Sequence, residues 1–172
     1  LVLARPADAL PGVGVAASSS VGLVNDNQPV FNVVASAELA GVHVGGLFWR
    51  RVSDQRTYLH GLLMKDVSPI PMIKVLPGIG LASNPGGQVG PIASLGAAFH
   101  PFLLPVAVEV SAGAALFSGQ TLLPYSAGLK LSLFPLTAFN FRYRGFGGEA
   151  RTGAPGSLAG IGGPEVGVEI GI

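Results

Sequence analysis

Hydrophobic and polar residues alternate with a period of two along most of the chain. The pattern is plainest at residues 138–144, where Phe139, Phe141 and Tyr143 interleave with Asn140, Arg142 and Arg144. Successive side chains of an extended strand point to opposite faces, so this stretch predicts a strand with one aromatic and one polar face. Alternating runs bounded by Gly, Pro, Asn or Asp recur at residues 13–24, 30–38, 42–52, 57–65, 72–82, 92–100, 106–117, 122–134, 138–144 and 165–172. The Gly45-Gly46 pair predicts a bulge that shifts the register before Trp49. The faces of 57–65 are left undecided by the pattern, and 145–163 reads as one long Gly-rich loop.

Helices are the competing reading, because no Lys, Arg, Asp or Glu occurs between Lys74 and Glu109 or between Glu109 and Lys130. Both stretches reach the roughly 20 residues of a spanning helix. Pro77, Pro85, Pro91, Pro101, Pro105, Gly119 and Pro124 interrupt them, however, and would break such helices.

Composition decides which environment suits these strands. Charged residues are 11% of the chain, against roughly 25% in ordinary soluble domains, while 49% is hydrophobic and mean hydropathy is +0.55. A non-helical segment in lipid must pair its backbone groups in a closed barrel. The expectation is therefore an all-β, closed antiparallel up-and-down transmembrane barrel of about ten strands, eight being the alternative. It would occupy residues 10–172, after an N-terminal extension or signal remnant at 1–9 ending in Ala7-Asp8-Ala9. Outer-membrane lipid is the expected partner. A net charge of +1 excludes a basic nucleic-acid surface, and the absence of cysteine excludes disulfides and thiolate chemistry.

Under this map Glu38, Lys74, Glu109, Lys130, Asn140, Arg142, Arg144, Glu165 and Glu169 line the lumen as a polar network. Phe31, Trp49, Tyr58, Phe99, Phe134, Phe139 and Tyr143 fall toward the two membrane interfaces. Connections at 25–28, 53–56, 84–90, 118–120 and 145–163 share one end. The shorter or Pro-bearing turns at 39–41, 68–71, 101–105 and Pro135 share the other, as in barrels with long outer loops and both termini periplasmic.

The segments Gly128-Leu-Lys-Leu-Ser-Leu-Phe-Pro-Leu-Thr-Ala-Phe-Asn-Phe-Arg-Tyr-Arg144 and Val166-Gly-Val-Glu-Ile-Gly-Ile172 resemble the small outer-membrane β-barrel proteins of diderm bacteria. That group includes OmpA-barrel, OmpX-like and OmpW-like proteins. The resemblance covers nearly the whole length after about Ala9, although many members end in Phe or Trp where this chain ends in Ile172. It implies an outer-membrane location and a structural or accessory envelope role, with or without a narrow passive pore, in contact with a larger envelope assembly through the 145–163 loop.

Candidate catalytic chemistry is thin. His43, His60 and His100 are the only histidines, and His60 with Asp54 or Ser53 is the one constellation that could serve a lipid-modifying enzyme. No metal-binding spacing such as H-E-x-x-H is present, so neither a metal, a cofactor nor catalysis is expected. A soluble lipid-binding barrel is the remaining alternative; it would show apolar residues inside and more surface charge outside.

Overall fold

The structure, a computed structural model, describes residues 13–101, 104–134, 136–150 and 157–171. The 1–9 extension, Pro135 and the centre of the 145–163 segment lie outside these residues.

Ten strands form the fold: β1 (Val13–Val24), β2 (Gln28–Leu39), β3 (Val42–Arg51), β4 (Thr57–Lys65), β5 (Ile73–Ser83), β6 (Val89–Phe99), β7 (Val106–Phe117), β8 (Gln120–Phe134), β9 (Thr137–Ala150) and β10 (Ile161–Gly171). Each pairs antiparallel with its sequence neighbours, and β1 closes on β10 from Ala16↔Gly171 to Gly22↔Glu165. The result is a closed up-and-down barrel of ten strands rather than eight. Closure leaves no unpaired strand edge.

The alternation in sequence becomes the two faces of the wall. Val13, Val15, Val21 and Leu23 of β1 face outward and are exposed, while Gly14, Ala16, Ser18, Ser20 and Gly22 face the lumen. The undecided β4 resolves in the same way: Leu59, Gly61 and Leu63 point out, and Tyr58, His60, Leu62 and Met64 point in. Outward side chains around the barrel include Ile79 at 68% exposure and Ile170 at 60%.

Three sequence expectations are corrected. Gly45 and Gly46 form no bulge: the pairs Ser36↔Gly45, Ala35↔Gly46, Gly45↔Leu62 and Gly46↔Gly61 run in unbroken register. With parity conserved, Trp49 lies on the same inner face as His43, and its ring is buried at 1% exposure. The register irregularity seen among the described residues is between Ser132 and Phe134.

The 145–163 segment is also less of a loop than its composition predicts, since β9 runs to Ala150 and β10 starts at Ile161. Gly148 and Gly163 serve close backbone approach. A Cβ on Gly163 would run into the Leu23 carbonyl oxygen, so the strand can curve inward only without a side chain.

Finally, the connections differ less in length than expected. The segments 66–72 and 100–105, at the end carrying the Ala40-Gly41 turn, are longer than 52–56 and 84–88 at the opposite end. The Ala40-Gly41 turn itself is a two-residue hairpin connection, with φ of 50° and 78°. Positive φ at both central residues is the geometry that matches strand twist.

The interior divides along the barrel axis. At the end opposite Ala40, Val24, Val30, Leu47, Trp49, Tyr58, Phe117, Leu122, Phe146 and Leu158 form one buried apolar cluster. Toward the Ala40 end the inner face becomes polar and charged.

Candidate functional site

Four ion pairs organise the polar half of the lumen. Arg144 Nε donates to Glu165 Oε2 at 3.2 Å between neighbouring β9 and β10, with side chains 9% and 1% exposed. Lys130 pairs with Glu169 across β9. Arg142 lies 3.9 Å from Glu109, reaching over β8. Lys74 Nζ donates to Glu38 Oε2 at 3.1 Å, spanning the lumen from β5 to β2.

The eight ionic residues expected in the lumen therefore stand there as acid–base couples. In a narrow barrel filled by side chains, a couple neutralises a charge that would be costly alone. Asn140 also lies inside and is buried, with neither amide atom hydrogen-bonded to protein. Asn32 accepts from the Ser20 hydroxyl at 2.7 Å.

The aromatics expected at the interfaces divide. Phe31, Phe99, Phe134 and Tyr143 point outward and are exposed, Phe139 is outward and half-buried, and the Tyr143 ring stacks on Tyr125 at 6.4 Å. Trp49 and Tyr58 are corrected: both are inside, at 1% and 0% exposure. Phe146 packs edge-on against each, with ring centroids 5.0 Å apart in both cases. Geometry of this kind adds to the burial of the rings themselves.

Leu158 completes this cluster from the segment leading into β10. Its neighbours are clamped, Arg56 Nη1 donating to the Ser157 carbonyl at 2.8 Å and Asn25 Nδ2 to the Gly160 carbonyl at 2.6 Å.

The candidate catalytic group does not assemble. Asp54 is held by Arg51, whose Nε donates at 2.8 Å, and by Arg56 at 2.8 Å. The Arg51 hydrogen bond, with help from Arg56, brings the Asp54 carboxyl down to about 2. His60 instead faces the lumen, its Nδ1 3.3 Å from the Tyr58 hydroxyl.

A cluster that sequence spacing does not reveal lies near the Ala40 turn. Glu38, His43 and Asp66 place one potential ligand atom each within 4.8 Å of one another. Glu38 and His43 are register partners across the β2–β3 hairpin, and Asp66 follows β4, its backbone N–H donating to the Gly41 carbonyl at 2.8 Å. His43 Nδ1 is 3.4 Å from Glu38 Oε2, and Lys74 Nζ is 3.8 Å from Asp66 Oδ2. Partial burial raises the Asp66 carboxyl, but two hydrogen bonds from Ser68, with Lys74 and His43 nearby, outweigh it and hold the group below its ordinary value. The signal available in sequence was parity alone: His43 shares the inward phase of Trp49 once the bulge is removed.

No protein-family model matches this chain, and no curated protein matches it.

Proposed function

We propose that the protein is a small outer-membrane barrel with a structural or accessory role in the cell envelope, its wall in contact with lipid. The observation that carries this reading is the inversion of ordinary protein surfaces. Val, Leu, Ile and Phe side chains cover the outside of the wall, while the charged pairs lie within. A continuous apolar belt of this kind is unfavourable in water and favourable in a bilayer. The Ala40 end, where β1 begins and β10 finishes, then faces the periplasm of a diderm bacterium.

The aromatic cluster around Phe146 favours a closed structural element over an open channel, because buried rings occupy the cross-section that solute would need. A narrow passive pore is the second reading. It is favoured by the small inward residues Ser94, Gly96, Ser111, Gly113, Ser126 and Gly128, among which Ser111 stays exposed.

Refolding into phosphatidylcholine vesicles tests the proposal. The account expects the chain to need detergent or lipid and to migrate differently on a gel before and after boiling, with no stepwise conductance in planar bilayers. Steps of reproducible size would transfer the role to the pore reading. A chain that stays soluble and folded without detergent would refute the membrane placement.

A further inference from the structure

We propose that Glu38, His43 and Asp66 form a binding site for one divalent first-row transition ion, with Lys74 as its built-in competitor. One imidazole nitrogen and two carboxylates make a mixed donor set that suits Zn2+ and its neighbours. Ca2+ and Mg2+ favour all-oxygen surroundings.

The geometry supports the same conclusion. Donor atoms at the corners of a tetrahedron with bonds of about 2.1 Å stand roughly 3.4 Å apart, and His43 Nδ1 lies 3.4 Å from Glu38 Oε2. That separation is long for a hydrogen bond and right for two ligands of one ion. The third donor lies within 4.8 Å of both, a distance that side-chain rotation can close. The backbone beneath is already fixed by the Ala40-Gly41 turn, the Glu38↔His43 pairing and the Asp66–Gly41 hydrogen bond.

An independent observation comes from His43 itself. The residue is only 6% exposed and faces inward, and it turns Nδ1 toward the Glu38 carboxylate; Nε2, on the other side of the ring, would keep the ring proton when Nδ1 binds. A buried imidazole whose contact is a 3.4 Å approach to a carboxylate is not explained by packing alone.

Lys74 shows that the site attracts positive charge, since its ammonium lies 3.1 Å from Glu38 and 3.8 Å from Asp66. Its side chain is 32% exposed and so is not locked in place by packing. An arriving ion would displace it, so the lysine lowers affinity rather than supplying a ligand. Three protein ligands leave a further coordination position for water.

The test is a Zn2+ titration of the refolded, detergent-solubilised chain against a chromophoric chelator. The expected result is one bound equivalent for the wild type. His43→Ala should weaken binding tenfold or more, Lys74→Met should tighten it tenfold or more, and His60→Ala should leave it unchanged. Heat-modifiable migration verifies folding of each variant, and Glu38→Gln replaces His43→Ala should that variant misfold. Absence of stoichiometric zinc on the wild type, zinc indifferent to the folded ligand variant, or no gain in Lys74→Met would overturn the proposal.

Discussion

Arg142 and Glu109 lie 3.9 Å apart although a whole strand, β8, separates the strands that carry them. The row joining them runs Glu109, Gly128, Arg142 and Glu165, so the guanidinium passes over a residue without a side chain. A Cβ on Gly128 would come within 2.5 Å of both the Arg142 Cβ and the Phe141 carbonyl oxygen. Gly128→Ala should therefore cost about 1–3 kcal/mol through overpacking. Gly61 faces outward, where a Cβ meets nothing within 4 Å, and Gly61→Ala should be neutral or stabilising by ~0.5–1 kcal/mol. Urea unfolding of the two refolded variants measures the contrast, and equal losses would contradict it.

Arg144 and Glu165 are the most deeply buried of the lumen pairs. Glu165→Ala strips a buried guanidinium of its carboxylate, and the expected loss is about 3–5 kcal/mol. Replacing both partners, Arg144→Met with Glu165→Leu, should recover most of it, because the desolvated charge leaves with its partner. Denaturant midpoints for the single and double variants decide this, and a double variant as weak as the single would argue against pairing as the source.

Trp49 is the only tryptophan, which makes its fluorescence a direct report on the lumen. Its emission should be blue-shifted and shielded from iodide and from brominated lipid alike, since the ring is enclosed with Tyr58 and Phe146 rather than set at an interface. Strong quenching by bromines near the headgroups would place it outside. Trp49→Ala should lose about 3–5 kcal/mol by emptying the cluster.

Asp54 gives a pH signature at the Arg56 end of the barrel. Its folded value of about 2 lies below the ordinary 3.8, so the folded state favours the carboxylate. The stabilisation is complete above about pH 4 and fades as pH falls toward about 2. With the side chain 33% exposed, solvent screening keeps the effect under ~1 kcal/mol. Asp54→Asn should flatten this part of the stability profile measured between pH 5 and pH 2, and an unchanged acid slope would contradict the assignment.

The closed barrel was legible because alternation is a local property: each inward Lys130, Arg142 or Glu169 sits between outward apolar neighbours. Partners across the lumen were not, since Lys74 and Glu38 meet through a chord of the barrel that no sequence spacing encodes. Trp49 and Tyr58 misled because a ring suits an interface and a core equally well, and only an unbroken register at Gly45-Gly46 chooses between them. Gly145 and Gly163 read as loop by composition, yet they are strand residues, Gly145 leaving room for the Tyr125 ring and Gly163 for the Leu23 backbone. The Glu38, His43 and Asp66 cluster joins two separate segments, so no linear motif could announce it.

Because the chain has no cysteine, single cysteines can be introduced and labelled one face at a time, and this tests the inverted wall most directly. An environment-sensitive fluorophore at Leu129→Cys, Phe141→Cys or Ile170→Cys should emit in the blue and be quenched by nitroxide-bearing lipid chains in vesicles. The same label at Ser126→Cys or Ser132→Cys, on the inner face, should escape that quenching. Lipid quenching at the inner positions and none at the outer would contradict the account.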